Sequence, residues 1–472
     1  MLKKFKYQLI ADTIEKQIKD EVLVPGNKLP SLRVLCTTHG ISQSTAIAVY
    51  YDLESKGYVE ANPKSGYYVS QHIQKQRVLP KTSKPDGKLS EDAMDKITEL
   101  VLYSAGADYI QLSHGVLADE LLPIAKLNKA MILAMRSLKD SGTAYGETQG
   151  NEKLRRQIVR HTYHIPQLDH EELITTAGCI NAISYALMAL TEPGDSIAVE
   201  SPAYFGILRL AKSLKLNVVE LPTHPITGIV IESLQDALET KNIKVGLIVS
   251  NFSNPLGSLM PDEHKKAIVK LIQQYNIPLI EDDIYGDLYF ETRPSTCKSF
   301  DESGLVILCS SFSKTLAPGY RIGWIAPGKF KAEILKLKLT HSISSTNITQ
   351  EVIANFLETG RYDHHLRKLR RSLQTNCIQY TRAIDRYFPD NTKISAPKGG
   401  MVLWVEFDKK VNTIELFKMA VQAGISIAPG KMFTLQDQFS NCLRLNYGIP
   451  LNEQTEAALK TIGDLAKILD RR

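Results

Sequence analysis

The pattern of apolar and polar positions divides the chain into two stretches of unequal length. In the first seventy residues, apolar side chains recur every four positions, which predicts one apolar stripe along a first helix. The stripe consists of Ile10, Ile14, Ile18 and Val22, and Pro25-Gly26 follows it. Because proline and glycine interrupt helices, we expect the first helix to end at this pair.

Two shorter helices are predicted next, on either side of Gly40. Ser31 and Ser42 stand where each would begin, and serine is a preferred capping residue. The inward faces would carry Leu32 and Leu35 on the second helix, and Ala46, Val49, Tyr50 and Leu53 on the third. Two short helices around a glycine turn are typical of a helix-turn-helix. Residues 57–69 alternate and turn, which predicts a β-hairpin wing.

From about Glu91 the pattern changes to helix-length stretches that alternate with short apolar strands. The predicted strands lie at 173–177, 196–199, 245–250, 278–281 and 305–308. Such alternation favours a mostly parallel sheet covered by helices on both faces. After about residue 335 the pattern is helix-rich, with strands near 400–405 and 442–446, and predicts a smaller α+β domain.

Length and composition fit this organisation. A chain of 472 residues is long enough for about three structural units. We therefore expect domains at 1–70, 93–335 and 336–472, with a basic linker at 71–92 that is semi-extended and carries Lys75, Arg77, Lys81, Lys84 and Lys88. The linker charge either aids solubility or follows a DNA backbone.

Charge and cysteine usage narrow the function classes. The net charge of +6 permits a nucleic-acid partner without requiring one, and residues 1–70 are only slightly basic. No apolar run is long enough to span a membrane, and the first residues lack a secretory signal. Six scattered cysteines have no metal-type spacing, so we expect a reduced cytoplasmic location and no metal site.

Four predicted strands of the α/β region end in polar groups that suit one cofactor. These groups are Gly178 with Asn181, Asn254, Asp282 with Tyr285, and Ser311, Ser313 and Lys314. A lysine amine forms a Schiff base with an aldehyde, and a carboxylate holds a pyridine nitrogen protonated. A glycine turn at a helix start, with hydroxyls and an arginine, holds a phosphate. Together they indicate a site for pyridoxal 5′-phosphate.

The first seventy residues resemble the GntR-type winged helix. The matching segments are Leu29-Pro-Ser-x-Arg33, Ser42-x-x-Thr45 and the wing at 64–66. The resemblance implies DNA contacts from Arg33, Ser42, Gln43, Ser44, Thr45 and Lys64. Gln43 and Ala48 stand where the family commonly has a basic residue. The alternative is a small helical module for oligomerisation or protein docking.

Residues 105–470 resemble the fold type I aminotransferases. The resemblance implies that Lys314 forms the Schiff base, that Asp282 with Tyr285 holds the pyridine nitrogen, and that Asn254 contacts the ring hydroxyl. The implied phosphate site comprises Gly178, Cys179, Ile180, Ser311, Ser313 and Arg321. Tyr204 would stack on the cofactor ring, Tyr145 would reach the phosphate of a neighbouring subunit, and Arg444 would bind a substrate α-carboxylate.

The order of the two regions resembles the MocR group of bacterial transcription regulators. That resemblance implies an α/β protein with an N-terminal winged helix-turn-helix, which binds a double-stranded DNA operator as a head-to-tail homodimer. The aminotransferase-like domain would sense an amine, an amino acid or the cofactor through aldimine formation, with little or no turnover. A working aminotransferase with a vestigial DNA-binding module is the first alternative, and a protein-interaction scaffold is the second.

Overall fold

The computed structural model describes residues 5–20, 22–62, 65–70, 78–87, 91–104, 109–162, 164–165 and 168–472. The chain divides into two compact units, Met1–Val78 and Leu79–Arg472. Lys64, Lys75, Arg77 and Lys88, which carry predictions made above, lie outside the described residues.

The described residues of the first unit form three helices and an antiparallel hairpin. Its elements are α1 (Lys6–Lys19), α2 (Leu32–His39), α3 (Gln43–Ser55), β1 (Val59–Asn62) and β2 (Gly66–Val69). In the hairpin Val59 lies opposite Val69. Both valines are buried in one cluster with residues of the helices, among them Ile14 and Leu53. The predicted winged helix is confirmed.

Local hydrogen bonds explain where the two short helices begin and end. The Oγ of Ser31 accepts from the backbone N of Val34 at 3.3 Å, and the Oγ of Ser42 accepts from the N of Thr45 at 3.2 Å. Gly40 ends α2 with a φ of 56°, in the left-handed region that glycine adopts without a steric cost. The capping predicted for both serines is confirmed.

The predicted end of the first helix is wrong. Helix α1 ends at Lys19, ahead of Pro25-Gly26, and Val22 is 68 % exposed. The backbone N–H groups of Val22 and Leu23 both donate to the carbonyl of Gln17, so the chain turns away from the helix axis here. Leu23 packs against the core in place of Val22.

The second unit begins with a helical layer and continues into a large sheet. In chain order its first elements are α4 (Glu91–Tyr103), β3 (Ile110–Gln111), α5 (Ile124–Ser137), α6 (Glu152–His161), β4 (Ile174–Thr176), α7 (Cys179–Leu190), β5 (Ser196–Ser201), α8 (Phe205–Ser213), β6 (Asn217–His224), β7 (Gly228–Ile229), α9 (Ile231–Thr240), β8 (Ile243–Ile248), α10 (Asp262–Tyr275), β9 (Leu279–Asp282), β10 (Val306–Ser311) and β11 (Gly323–Ala326).

Eight of these strands form one sheet in the order β4-β11-β10-β9-β8-β5-β6-β7. The pairs β10·β9, β9·β8, β8·β5 and β5·β6 are parallel, whereas β11 and β7 run antiparallel to their neighbours. Successive residues of one strand enter different buried clusters, as Leu279 and Ile280 do. The sheet is therefore covered on both faces, and the predicted mostly parallel α/β architecture is confirmed.

The rest of the chain adds helices and a second sheet. Its elements are α11 (Lys331–Ser342), α12 (Asn347–Glu358), α13 (Arg361–Tyr387), β12 (Lys393–Ile394), β13 (Val402–Glu406), α14 (Thr413–Gln422), β14 (Ile425–Ser426), β15 (Ala428–Pro429), β16 (Cys442–Asn446) and α15 (Glu453–Asp470). Strands β12, β13, β16 and β15 form an antiparallel sheet in that order, and β14 pairs with β3. The domain boundary expected near residue 335 falls inside α11.

The end of the basic segment is attached to the second unit. The backbone N of Lys81 donates to the Oε2 of Glu406 at 2.9 Å, and the N of Lys84 to Gln438 at 3.2 Å. Gln436 accepts from the backbone N of Asp86 at 2.8 Å. We call residues 81–87 the strap. Across the described residues, no helix is long and apolar enough to cross a membrane.

Candidate cofactor-binding site

The polar strand ends predicted from the sequence meet at one edge of the large sheet. Strand β9 ends at Asp282, which lies opposite Cys309 of the parallel strand β10. Lys314 follows β10, and Gly178 follows β4. Carboxyl ends of parallel strands share one edge, which is where open α/β sheets bind their ligands.

Lys314 is the central cation of this edge. Its Nζ donates to the carbonyl of Gly115 at 2.5 Å. Burial, together with the nearby positive charge of Arg444, lowers the pKa of Lys314 to about 8, although the Asp282 carboxylate opposes this. A lysine with a lowered pKa loses its proton more readily, and only the neutral amine is nucleophilic.

Asp282 lies in the same buried region as Lys314. Its Oδ1 accepts from the Sγ of Cys179 at 3.2 Å and from the backbone N of Ile284 at 3.0 Å. Burial raises the pKa of Asp282 to about 6, and both hydrogen bonds oppose that rise. A buried carboxylate of this kind is stabilised by a cationic N–H partner, such as the ring nitrogen of a protonated pyridine.

Arg444, Asn254 and Tyr285 form a connected set of polar side chains. The Nη1 of Arg444 donates to the Oδ1 of Asn254 at 3.0 Å, and the Nδ2 of Asn254 donates to the hydroxyl of Tyr285 at 3.2 Å. The Nη2 of Arg444 donates to the carbonyl of Ser113. The Nε of Arg444 is buried and has no hydrogen-bond partner within the described chain. A buried guanidinium without a carboxylate is suited to an anionic ligand group.

The amino terminus of α7 and the side chain of Arg321 lie against each other. Gly178 precedes the helix with a φ of 93°, and a Cβ added there would lie 2.4 Å from the Nη2 of Arg321. Arg321 donates to the Oγ of Ser313 at 3.4 Å and to the carbonyl of Ala177 at 3.0 Å. Cys179 and Ile180 are the first residues of the helix. Backbone N–H groups at a helix start, with an arginine beside them, bind phosphate well.

Tyr204 supplies an aromatic ring near these groups. It directly precedes α8, and its ring centroid lies 4.7 Å from that of Phe205. A Cβ at Gly206 would lie 2.5 Å from the Cε1 of Tyr204, so this glycine leaves room for the ring. Burial raises the pKa of Tyr204, so the phenol stays neutral.

Two groups of predicted site residues lie elsewhere. Tyr145 is 85 % exposed and has no described contact with the Lys314 region. The predicted DNA contacts belong to the first unit, where Arg33, Gln43 and Ser44 are exposed. The Oγ of Ser42 lies 2.8 Å from the hydroxyls of both Ser44 and Thr45, besides capping α3.

Several residues of the site were not found by sequence reasoning. Ser113 and Gly115 contribute backbone carbonyls, which leave no signal in side-chain patterns. Phe433 lies under the guanidinium of Arg444, with 5.2 Å between Cζ and the ring centroid. Cys179 was expected at the phosphate turn for its position, and its thiol in fact contacts Asp282.

This arrangement of lysine, aspartate, asparagine and arginine on a mostly parallel sheet defines an aminotransferase-type domain. Residues 107–462 match the family model "Aminotransferase class I and II", and residues 6–69 match "Bacterial regulatory proteins, gntR family". The chain therefore belongs to the class I and II aminotransferase family and joins that domain to a GntR-type helix-turn-helix, which is the MocR architecture.

Three known proteins illustrate the similarity. The Escherichia coli protein named as the uncharacterized HTH-type transcriptional regulator YjiR is 36% identical over 463 residues, covering 97% of this chain and 98% of its own. Aromatic-amino-acid aminotransferase 1 of Thermococcus litoralis is 29% identical, covering 79% of this chain and 91% of its own. The Pyrococcus horikoshii kynurenine aminotransferase in complex with PMP has a TM-score of 0.74 and 25% identity, covering 80% of this chain and 96% of its own.

The class I and II aminotransferase fold depends on pyridoxal 5′-phosphate, and the residues present fit that cofactor. Gly178 leaves space that any larger residue would fill beside Arg321. The Asp282 carboxylate and the unpartnered Nε of Arg444 are buried polar groups suited to a pyridinium and to an anion.

Proposed function

We propose that this protein is a pyridoxal-phosphate-dependent, DNA-binding transcription regulator whose aminotransferase-type domain senses an amine or an amino acid. One observation carries the proposal: a GntR-type domain precedes a site in which Lys314, Asp282 and Arg444 lie together. The relative YjiR, which matches nearly the whole chain, is named as a transcriptional regulator.

Each side chain of the site has a proposed task. When bound, the cofactor supplies an aldehyde that reacts with primary amines. Lys314 provides the resident amine, and its lowered pKa helps it release and regain a proton. Asp282 holds the ring nitrogen, and Asn254 with Tyr285 orients the ring hydroxyl. The start of α7, with Arg321 and Ser313, binds the phosphate.

Arg444 determines the proposed class of effector. Its guanidinium is buried, and its described hydrogen bonds go to the neutral oxygens of Asn254 and Ser113. An α-carboxylate would supply the missing negative charge in a bidentate pair. We therefore favour an amino acid over a simple amine as the effector.

The proposed regulator is a homodimer that carries two helix-turn-helix modules. Tyr145, which is largely exposed, is proposed to reach the phosphate of the neighbouring subunit. Two modules would bind two operator half-sites whose spacing the dimer determines. An effector changes DNA affinity only if it binds one domain arrangement more tightly than another.

The cofactor proposal is tested with the variant Lys314→Ala. We expect wild-type protein with added pyridoxal phosphate to show a visible absorbance band that the variant lacks. Lys336→Ala, on the exposed face of α11, is the matched control and keeps the band. A wild-type protein that stays colourless contradicts the proposal.

The regulator proposal is tested by gel-shift assays against the DNA upstream of the gene. We expect binding at least about tenfold tighter than to random DNA at the same salt concentration. Arg33→Ala should weaken this binding, and Lys336→Ala should leave it unchanged. Equal affinity for both DNAs argues against an operator.

A working aminotransferase is the second candidate function. Its support is the Thermococcus litoralis relative, which is named as an aminotransferase and matches the domain that carries Lys314. Sustained ketoacid formation from amino acids, with many turnovers per subunit, favours this candidate. A single turnover or none favours the sensor.

A further inference from the structure

The aminotransferase-type domain contains a cavity outside the cofactor site. None of its lining residues belongs to that site. Its volume is about 240 Å³, and helices α6 and α13 and the segment after β9 contribute to its walls. The basic lining residues are Arg160, His161, His164, Arg293 and Arg370. The acidic ones are Asp287 and Asp363. The lining holds three arginines against two aspartates, which leaves an excess of positive charge. Burial lowers the pKa of His164 to about 4, so this imidazole adds no charge near neutral pH.

Both acidic residues have partners among these basic side chains. The Nε of Arg293 lies 3.0 Å from the Oδ1 of Asp287, and Arg293 also pairs with Asp283. His161 lies 3.2 Å from Asp287 and 3.5 Å from Asp363. Burial opposes ionisation of Asp287, yet Arg293 and His161 hold its pKa well below the usual range. Asp287 therefore stays ionised, and its carboxylate contacts Arg293 and His161.

Arg370 and Arg160 form no close ion pair among the described residues, although the charge of Arg370 helps to keep Asp287 ionised. The Nε of Arg370 donates to the backbone carbonyl of Asp287 at 2.7 Å, and its Cζ lies 3.7 Å from the ring centroid of Tyr289. These contacts fix the guanidinium plane and leave both terminal nitrogens available. Arg160 is exposed and has no described ion pair. A fixed guanidinium with free nitrogens binds oxyanions in a forked geometry.

We propose that this cavity binds the phosphate group of a small ligand between Arg370 and Arg160. His161 and His164 line the same space and offer ring nitrogens as further hydrogen-bond partners. The volume exceeds that of a single phosphate, and Tyr289 and Leu357 supply apolar wall for an organic scaffold. The proposal does not depend on the function proposed above.

Hydrogen bonds connect the cavity wall to the segment that carries Lys314. The hydroxyl of Tyr362 lies 3.2 Å from the Oδ2 of Asp287 and 2.8 Å from the Oγ1 of Thr315. Thr315 directly follows Lys314, and its carbonyl accepts from the Nε2 of His365 at 2.7 Å. A ligand in the cavity would therefore be linked to the residue next to Lys314 through these hydrogen bonds.

The test is calorimetric titration of the cofactor-loaded protein, in which the cofactor's own phosphate fills the α7 site. Two probes are used, inorganic phosphate and phenyl phosphate. Saturable binding of either probe to wild-type protein is expected, with phenyl phosphate tighter if the natural ligand is organic and inorganic phosphate tighter if it is a free ion. Absence of binding by both probes overturns the proposal.

Variants locate the binding. Arg370→Gln should weaken binding at least about tenfold. Arg367→Gln, on the same helix and exposed, is the matched control and should bind as wild type does. If Arg370→Gln fails to fold, Arg160→Gln removes the second cation from the exposed face of α6 without touching Asp287 or Tyr289. Unchanged affinity in the folded arginine variants overturns the assignment.

Discussion

Burial gives individual side chains of the cofactor site their chemistry. Lys314 and Asp282 would be an ordinary ion pair on a surface, where each would keep its usual pKa. Inside the domain, the pKa of Lys314 falls to about 8 and that of Asp282 rises to about 6. Both pKa values therefore lie closer to neutral pH than the ordinary values of these side chains.

The lowered pKa of Lys314 predicts how the cofactor-free protein responds to pH. Between about 8 and the ordinary value of 10.5, the unfolded chain binds a proton that the folded chain has released. The free energy of unfolding therefore rises with pH across this window and is unaffected by this group below it. In urea unfolding, wild type should gain on the order of 3 kcal/mol of stability relative to Lys314→Met across this window. A difference that stays constant with pH contradicts the assignment.

Replacement of Gly178 is expected to reduce the affinity for the cofactor. Gly178→Ala places a Cβ 2.4 Å from the Nη2 of Arg321, so Arg321 must move away from the proposed phosphate site. We expect the affinity for pyridoxal phosphate, measured by fluorescence titration, to fall at least about tenfold. Gly194→Ala is the control, because its φ of 97° costs similar backbone strain and its Cβ would meet nothing within 4 Å. If both variants bind pyridoxal phosphate equally well, the contact between the added Cβ and Arg321 does not affect cofactor binding.

At the residue scale, the sequence identified candidate site residues only where they belong to a recognisable motif. Lys314, Asp282 and Asn254 stand at strand ends, and the structure brings them to one edge. The contacts of Ser113 and Gly115 were not predictable, because they use backbone carbonyls that every residue has. The Cys179 thiol reaches Asp282 across a sequence distance that no local pattern spans.

Elements of the DNA-binding unit begin where their capping residues predict. Ser31 and Ser42 each accept a hydrogen bond from the third residue of the following helix. The end of α1 was predicted wrongly, because a four-residue apolar period continued past the last helical hydrogen bond. Periodicity identifies a buried face, whereas the end of a helix depends on local backbone bonding.

Removal of a cap predicts a measurable loss of stability in this unit. Ser31→Ala should lower the free energy of unfolding by about 1 kcal/mol, because the N–H of Val34 loses its acceptor. Thr38→Ala, at an exposed position within α2, is the control and should not destabilise the unit. Thermal unfolding monitored on residues 1–78 or on the whole chain measures both. A Ser31→Ala variant as stable as Thr38→Ala contradicts the capping assignment.

At the scale of the whole molecule, residues 81–87 of the predicted linker are bound to side chains of the second unit. The sequence predicted a semi-extended linker at 71–92 from its prolines and lack of apolar period. In the structure, Glu91 already begins α4, and the strap is hydrogen-bonded to side chains more than 300 positions away in sequence. Such contacts could not be predicted, because Gln436 and Gln438 resemble any surface glutamine.

Loss of a contact that holds the strap is expected to increase its sensitivity to protease. Gln436→Ala removes the acceptor shared by the backbone N–H groups of Asp86 and Gly87. We expect trypsin to cleave after Lys81 faster in this variant than in wild type, since local opening exposes the backbone. Gln422→Ala, exposed on α14, should be cleaved at the wild-type rate. Identical rates in all three proteins would mean that the strap is not held by Gln436.

The strap has a mechanical consequence. It is tied to Glu406 at the end of β13 and to the loop that leads into β16, the strand that carries Arg444. Any displacement of these two attachment points would displace the strap with them, because their side chains hold its backbone.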